Sequence, residues 1–219
     1  MLQDTSPFSD YVDTTFLIVV GISSLVLLGL MIAMVFFIIR YSRKKNPNPT
    51  NIEGNVALEI TWTVIPLALF MGMFYLGWHG YLKEITIPEG AHVIKVTARM
   101  WAWSFEYPNG VKTDTLYVPV NAPVKLTLHS LDVNHSFYIP AFRIKKDVIP
   151  NRENTMWFKT PRVASYDIAC AEYCGLQHSY MYSKVVAKDS SDFEQWYKEI
   201  SQKQSKPYLP MLKEEKVKE

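Results

Sequence analysis

Two long stretches without charged side chains constrain this chain more than any other feature of its sequence. Residues 16–39, FLIVVGISSLVLLGLMIAMVFFII, carry no charge. As a helix rising about 1.5 Å per residue, they exceed the roughly 30 Å hydrocarbon core of a membrane. Residues 60–81, ITWTVIPLALFMGMFYLGWHGY, carry one histidine near their end and aromatic residues toward both edges, as expected at membrane interfaces. We therefore predict two transmembrane helices, residues 16–40 and 59–82.

Basic residues between the two spans predict their orientation. Arg40, Arg43, Lys44 and Lys45 directly follow the first span, and such clusters remain on the cytoplasmic side of a membrane. The preceding segment, MLQDTSPFSDYVD, is acidic and does not resemble the basic start of a signal peptide. We expect the N-terminus and everything after the second span to lie outside, and the acidic start favours a bacterial plasma (inner) membrane with a periplasmic domain.

Beyond residue 82 the sequence changes to the two-residue alternation of β-strands. Segments such as AHVIKVTARMWAWSFEY, APVKLTLHSL and SYDIAC are rich in β-branched and aromatic residues and are separated by turn signals. About a hundred residues of short strands predict an all-β Greek-key sandwich or barrel. The stretch SDFEQWYKEISQKQ then predicts one surface helix. Its apolar face comprises Phe193, Trp196, Tyr197 and Ile200.

The predicted organisation is therefore a membrane hairpin followed by an extramembrane domain. Its segments are an external N-terminal segment 1–15, the spans 16–40 and 59–82 joined by a cytoplasmic loop 41–58, the β domain 83–188, and a C-terminal helix with a charged tail 189–219. The formal net charge of +2 is too small to indicate nucleic-acid binding. We expect membrane and protein partners instead.

The chain's two cysteines lie in CAEYCGLQHSYM, which runs from Cys170 to Met181. Outside the cytoplasm a disulfide is the simplest interpretation of two cysteines, because that environment is oxidising. The neighbouring residues argue for a metal, since the thiolates of Cys170 and Cys174, the imidazole of His178 and the thioether of Met181 suit copper. His135, in LDVNHSFYIP, is the natural earlier histidine for such a site, as in a blue-copper domain.

The second cysteine bears on the number of metal ions. A mononuclear blue-copper site uses one cysteine with two histidines and an axial methionine, so another thiolate is surplus there. Two thiolates can instead bridge two copper ions, and the charge of one electron then spreads over two metals and two sulfurs, which suits electron relay. Zinc is the competing metal, but a structural zinc site takes four cysteine or histidine ligands and leaves Met181 without a role.

The motif CAEYCGLQHSYM, together with DVNHSF upstream, resembles the C-x-E-x-C-x-x-x-H-x-x-M signature of subunit II of the haem-copper cytochrome c oxidases. Two helices followed by a cupredoxin-like domain also match that subunit. The resemblance implies that Cys170 and Cys174 bridge the two ions of a dinuclear CuA centre. It implies two terminal histidine ligands, an axial methionine and an axial backbone carbonyl, namely His135, His178, Met181 and Glu172. The Glu172 carboxylate would then be free to bind Mg²⁺ at the interface with subunit I.

Further positions match the family outside the copper motif. RMWAWSFEYPNG is similar to the family's WYWSYEY, which implies that Trp101 accepts the electron from cytochrome c. Trp103 would share a face with Trp101 in a regular strand, so alternation alone does not choose between them. Glu106 and Asp132 match acidic positions that steer a basic cytochrome c. Glu59 matches a glutamate at the mouth of a proton-uptake pathway, although a helix dipole also favours an acid there.

One segment departs from the family pattern. Where the family often has AxGLKTDAIPGR, this chain has AFRIKKDVIPNR, so that Arg143 and Asn151 replace glycines. Asparagine tolerates positive φ better than most residues, whereas Arg143 and Lys146 add positive charge near the copper loop. The donor is therefore expected to be a c-type cytochrome, either free or tethered. No Cys-x-x-Cys-His occurs in the chain, which argues against a covalent haem of its own.

These features together predict the CuA-bearing subunit of a proton-translocating cytochrome c oxidase. Such a subunit accepts electrons from a c-type cytochrome and passes them to haem in subunit I, where O2 is reduced to water. Its expected partners are subunit I, other oxidase subunits, the donor and the membrane. Three alternatives remain open: a membrane-anchored copper-binding or copper-delivery protein, subunit II of a quinol oxidase, which keeps the fold without the copper ligands, and a disulfide-stapled binding domain.

Overall fold

The structure is a computed structural model that describes residues 6–48, 50–51 and 53–205. The chain divides into two compact units between Thr86 and Ile87. Residues 206–219, the last part of the predicted helix-and-tail segment 189–219, lie outside the described residues, as do residues 1–5 at the start of the predicted N-terminal segment.

The first unit consists of two long helices, α1 (Ser9–Arg40) and α2 (Val56–Ile85). With 32 and 30 residues, they extend about 48 and 45 Å, and both are long and apolar enough to cross a membrane. Helix α1 begins before the predicted span, at a turn in which the Ser6 hydroxyl accepts hydrogen bonds from the backbone N–H groups of Phe8 and Ser9.

The two helices meet where Tyr11 of α1 packs against Gly80 of α2. The Tyr11 hydroxyl donates a hydrogen bond to the carbonyl of Leu76. A Cβ atom at position 80 would overlap the Tyr11 ring, so glycine permits this close approach. At its other end α2 is capped by Asn55, whose side-chain oxygen accepts from the backbone N–H of Leu58 at 3.0 Å.

The second unit is a β-sandwich of two five-stranded sheets within the described residues. One sheet has the order β3-β2-β1-β5-β8 and the other β4-β10-β9-β6-β7. Most neighbours are antiparallel, but β1 pairs with β5 and β4 with β10 in parallel. The strands are β1 (His92–Arg99), β2 (Ala102–Glu106), β3 (Lys112–Thr113), β4 (Leu116–Pro119), β5 (Val124–Ser130), β6 (His135–Ile139), β7 (Ile144–Val148), β8 (Asn154–Phe158), β9 (Ser165–Cys170) and β10 (Tyr182–Lys188).

The core of the sandwich forms because alternate residues of each strand point inward. In β5, Val124, Leu126 and Leu128 are buried while the residues between them are half-exposed. The two sheets meet through edge-to-face aromatic contacts, with Phe137 of β6 5.1 Å from Trp103 and 6.2 Å from Phe105 of β2, measured between ring centroids. The all-β cupredoxin-like prediction is confirmed.

A third helix, α3 (Ser190–Ser205), closes the second unit. Its predicted apolar face is the face that packs: Phe193 is buried, and the Trp196 ring lies 4.5 Å from Tyr117 and 5.3 Å from Tyr107. The predicted C-terminal helix is therefore confirmed, and its aromatic side chains cover the sandwich between β2 and β4.

Both positions at which the chain lacks a family glycine have a left-handed backbone. Arg143 closes a 3-10 turn, Pro140–Phe142, with φ 59° and ψ 30°, and Asn151 also has φ 59°. Asparagine adopts this region with little strain, whereas arginine does so at a steric cost. The side chain of Arg143 offsets part of that cost by donating to the carbonyl of Pro140 at 2.8 Å.

We expect Arg143→Gly to be more stable than Arg143→Ala by about 1 kcal/mol. Both variants lose the guanidinium contact, but only glycine removes the clash of Cβ in the left-handed region, partly offset by its larger unfolded-state entropy. Chemical denaturation of a fragment spanning residues 87–205 measures the difference. Lys198→Gly and Lys198→Ala, inside α3, are the control pair. There the glycine variant should be the less stable one, because glycine costs roughly 0.5–1 kcal/mol relative to alanine within a helix. Equal stability of the two Arg143 variants would contradict the strain.

Candidate metal centre

The candidate ligands are brought together by the pairing of β6 with β9. His135 is the first residue of β6 and Cys170 the last of β9, and the antiparallel register sets Phe137 opposite Cys170. Beyond the strand end, the N–H of Ala171 donates to the carbonyl of Ser136 at 3.0 Å. The Nδ1 atom of His135 consequently lies 3.9 Å from the Cys170 sulfur.

The loop from β9 to β10, called the copper loop below, folds back on itself and brings the remaining candidate ligands close to Cys170. Gly175 has φ +113°, which favours glycine, and its carbonyl accepts from the N–H of His178 at 3.1 Å. A short 3-10 turn then carries the chain to Met181, whose carbonyl accepts from the N–H of Cys170 at 3.1 Å. Both ends of the loop are therefore fixed to the strands.

The donor atoms form two similar sets, one around each sulfur. Cys170 Sγ lies 3.9 Å from His135 Nδ1 and 3.3 Å from the Glu172 carbonyl oxygen. Cys174 Sγ lies 3.5 Å from His178 Nδ1 and 3.8 Å from Met181 Sδ. Each sulfur thus has one imidazole and one weaker donor beside it.

The two sulfur atoms are 3.7 Å apart, and both cysteines are free. A disulfide bond is about 2.05 Å long, so the sulfurs are not joined. An ion with metal–sulfur bonds of about 2.3 Å, as in zinc thiolates, can contact both. The donor atoms of His135, Cys170 and Cys174 all lie within 4.8 Å of one another, and this soft donor set of sulfur and imidazole fits copper.

Most of the donors are buried, which affects their protonation. His135 and Met181 are fully buried and Cys174 is 3% exposed, whereas His178 is half-exposed. Burial, with a further contribution from Cys170, raises the pKa of the Cys174 thiol to about 12. Without a metal ion this thiol is protonated at neutral pH, and a metal must displace its proton to form the thiolate ligand.

Asp132 orients His135 from the side opposite the sulfurs. Its Oδ1 atom lies 2.8 Å from His135 Nε2 and accepts from the N–H of Val133 at 2.7 Å, and its Oδ2 atom accepts from the N–H of Met100 at 2.6 Å. Burial acts to raise the pKa of Asp132, but these hydrogen bonds lower it below its usual value. A carboxylate on the far nitrogen leaves Nδ1 to face the sulfurs, as is common in metal sites. The predicted role of Asp132 in docking a cytochrome stays a prediction.

Lys145 of β7 holds the side chain of Glu172. Its Nζ atom lies 2.9 Å from Glu172 Oε1, 2.8 Å from Asp147 Oδ1 and 3.2 Å from Ser136 Oγ. Hydrogen bonds to Asp147 and Glu172 raise the pKa of Lys145, and those from Lys145 lower that of Asp147. The ammonium group of Lys145 thus connects Ser136, the residue after His135, to Glu172 in the copper loop. The magnesium role of Glu172 stays a prediction.

Trp101 and Trp103 have different environments in the structure, a difference that sequence alternation does not reveal. Trp101 lies in the turn between β1 and β2, is half-buried, and its Nε1 donates to the carbonyl of Cys174 at 3.0 Å. Trp103 is 4% exposed and packs against His135, and among the described residues no acceptor reaches its indole N–H. A Cβ at Gly175 would lie 3.3 Å from the Trp101 ring. Trp101 therefore contacts the copper loop, while Trp103 belongs to the core.

The remaining predicted residues lie outside this cluster. Glu106 ends β2 and pairs with Lys112 of β3 at 3.5 Å. Glu59 is exposed in the first turn of α2, and its backbone carbonyl accepts from the Thr63 hydroxyl at 2.8 Å. Their roles in docking and proton uptake stay predictions.

Of two further contributors to the site, sequence signals one and misses the other. Gly175 stands inside the motif, and a glycine directly after a ligand cysteine is a recognisable turn signal. Lys145 gave no such signal, because it lies far from the motif in sequence and reaches Glu172 only through the pairing of β6 with β7.

Known proteins resemble the chain over both of its units. The family model described as "Cytochrome C oxidase subunit II, periplasmic domain" matches residues 111–188, and the one described as "Cytochrome C oxidase subunit II, transmembrane domain" matches residues 2–75.

Curated relatives and a solved structure agree with these matches. The cytochrome c oxidase subunit 2 of Alkalihalophilus pseudofirmus is 33% identical over 86% of this chain and 59% of its own length, so the chain spans less than two thirds of that relative. The subunit 2 of Thermostichus vulcanus is 29% identical over 99% of this chain and 83% of its own length. The crystal structure of the periplasmic domain of subunit II of the Bradyrhizobium japonicum cytochrome oxidase is 29% identical in sequence. Its alignment covers 54% of this chain and 99% of that domain, with a TM-score of 0.51.

Copper binding by the metal-free domain, residues 87–205, should release protons. Since the pKa of Cys174 is about 12, its thiol carries a proton at neutral pH, and copper affinity should rise about tenfold per pH unit for each proton displaced. Calorimetry in buffers of different protonation enthalpy measures the release. Any copper binding that remains in Cys174→Ser should occur without the proton released from this thiol. Binding by the unmodified domain with no proton release at neutral pH would contradict the buried, protonated thiol.

Proposed function

Because this chain belongs to the cytochrome c oxidase subunit II family, we propose that it is the copper-bearing, electron-accepting subunit of a proton-translocating cytochrome c oxidase. It takes electrons from a c-type cytochrome and passes them to haem in subunit I, where O2 is reduced to water. The observation that carries the proposal is the paired donor set: two sulfurs 3.7 Å apart, each beside its own imidazole.

This pairing supports one set of copper ligands. Cys170 and Cys174 would hold the two ions of a CuA centre, which would supply a one-electron redox couple when bound. His135 and His178 would each offer Nδ1 as a further ligand. The Glu172 carbonyl and the Met181 sulfur, 3.3 and 3.8 Å from the two cysteine sulfurs, would be the weaker donors. Zinc would leave this asymmetric pair of weak donors without a role.

The residues of this chain hold the site rigid and shield most of it from water. Asp132 fixes the ring of His135, and Trp103 covers that ring from the domain interior. Burial keeps the donors in place while the charge of the site changes, so little rearrangement accompanies each electron. Trp101 spans from the surface to the carbonyl of Cys174, which supports its role as the residue that accepts the electron from the donor.

The Glu172 carboxylate remains the proposed contact for Mg²⁺ at the interface with subunit I. Within the described residues it is held by Lys145 at 2.9 Å, and the sole cluster of candidate ligands there is His135, Cys170 and Cys174. A magnesium ion at Glu172 would therefore compete with Lys145 and take its other ligands from subunit I or water.

The two apolar helices and the matching transmembrane family model make this a membrane protein. We propose that it lies in a bacterial plasma membrane, with the β-sandwich on the periplasmic side, because Arg40 and the basic residues after it favour a cytoplasmic loop. Glu59, in the first turn of α2, would then lie at the cytoplasmic mouth of the proton-uptake pathway.

The copper-loaded domain should contain two copper ions per chain. Cys170→Ser and Cys174→Ser should each lose the dinuclear centre, because each removes a bridging sulfur. Metal analysis after reconstitution of reduced residues 87–205 measures the ratio, and Ser183→Ala, outside the ligand set, is the control. One exchangeable copper would favour a copper-delivery protein, and a stable Cys170–Cys174 disulfide in the native protein would sink the proposal.

Trp101→Phe should slow reduction of the centre by a c-type cytochrome at least tenfold, equivalent to about 1.4 kcal/mol of activation free energy. The phenyl ring loses the N–H contact to Cys174 and the reach of the indole. Stopped-flow absorbance of the intact oxidase measures the rate, and the copper spectrum checks that the centre is intact. Trp196→Phe, on α3, is the matched control and should react at the normal rate. Equal rates for both variants would remove Trp101 from the pathway.

A further inference from the structure

We infer that the electron donor of this protein docks against a cationic surface, so that the haem-bearing partner presents acidic side chains around its exposed haem edge. The inference rests on the proposed function and specifies the donor's chemistry. It concerns the outer face of the sheet β3-β2-β1-β5-β8, called the cationic face below, whose charged residues are Lys95, Arg99, Lys112, Lys125 and Glu106.

The position of Trp101 determines where the donor must lie. Met100 and Trp101 form the turn between β1 and β2, and the indole reaches the copper loop from there. A donor in contact with Trp101 therefore covers this turn. A specific interface buries about 800 Å² on each partner, which is much more than one turn, so the footprint extends onto the adjoining strands.

Charges on those strands are predominantly positive. The register of β1 with β2 sets Arg99 opposite Ala102, directly beside the turn, and both Arg99 and Lys95 are exposed on the outward face of β1. Lys112 of β3 is 64% exposed although it pairs with Glu106, and Lys125 of β5 is half-exposed. Across the five described strands of this sheet there are four lysine or arginine side chains and one carboxylate, that of Glu106.

The two carboxylates predicted to attract a basic cytochrome, those of Glu106 and Asp132, already have partners within the chain. Glu106 pairs with Lys112 at 3.5 Å and lies opposite Lys95 in the strand register. Asp132 keeps 24% of its side chain exposed, and both of its oxygens are bonded to His135 or to backbone N–H groups. A basic protein in contact with this turn thus meets Arg99 directly beside it and an Asp132 carboxylate that is already bonded within the chain.

Apolar side chains form the immediate surroundings of Trp101. Met100 is 46% exposed and Leu176, which follows Gly175 in the copper loop, 87%. Leu131, 63% exposed, is held beside β1 by its N–H bond to the carbonyl of Ala98. Such a surface fits the apolar rim of a haem edge, and the surrounding cations then select a partner with acidic flanks.

The intact oxidase tests the inference by stopped-flow reduction of its copper centre with two soluble c-type cytochromes, one acidic and one basic. Ionic strength is varied from about 0.01 M to about 0.1 M, over which the Debye length falls from about 30 Å to about 10 Å. We expect the acidic cytochrome to react faster at low salt, by about tenfold or more, and its rate to fall as salt rises. The rate with the basic cytochrome should stay level or rise.

Charge reversals locate the effect on the cationic face. Arg99→Glu and Lys95→Glu should each slow the acidic donor about fivefold at low salt and speed the basic one, with both effects lost at high salt. Lys198→Glu, on α3 beyond the opposite end of β2, is the matched control and should leave both rates unchanged. The copper spectrum of each variant verifies that the site is intact.

A rate that falls with salt for the basic donor, or no salt response for either donor, overturns the inference; the second result would indicate a tethered donor. A small uncharged phenylenediamine reductant separates this failure from failure of the proposed function. If it reduces the copper centre while the charge preference is absent, only the donor's chemistry is wrong. If it also fails to reduce the centre, the proposed electron-accepting role is wrong.

Discussion

The antiparallel pairing of β6 with β9 is the constraint on which the rest of the site depends. It sets Phe137 opposite Cys170, so the histidine that begins one strand and the cysteine that ends the other are neighbours by backbone geometry alone. The N–H of Cys170 and the carbonyl of Met181 then fix the far end of the loop. Backbone hydrogen bonds of the fold therefore position the candidate ligands.

Most candidate metal ligands lie inside the domain, whereas the charged side chains that orient them lie at its surface. The buried donors face a core that includes Trp103 and Phe137, in which an uncompensated charge is costly. The ionised groups that orient them, Asp132 and Lys145, remain partly exposed to water. The metal therefore supplies the positive charge that the thiolates require, while the rim supplies orientation. This division also leaves Asp132, near Trp101, engaged within the chain.

Sequence predicted the parts of this protein that depend on local pattern. Apolar length predicted α1 and α2, alternation predicted the sandwich, and the spacing of Cys170, Cys174, His178 and Met181 predicted the metal site. It could not choose between Trp101 and Trp103, because the choice depends on where β2 begins. The contact of Lys145 with Glu172 was also invisible, since it arises from strand pairing between distant segments. The positive φ at Arg143 was signalled only by the glycine of the family pattern.

In the proposed centre, two cysteine sulfurs join two copper ions into one redox unit. Electron paramagnetic resonance of the oxidised, copper-loaded protein measures this directly, since hyperfine splitting reports how many copper nuclei share the unpaired electron. We expect a pattern from one electron shared equally by two copper nuclei, collapsing to that of a single nucleus, or to none, in Cys170→Ser. A pattern from one copper nucleus in the unmodified protein would exclude the shared dinuclear centre.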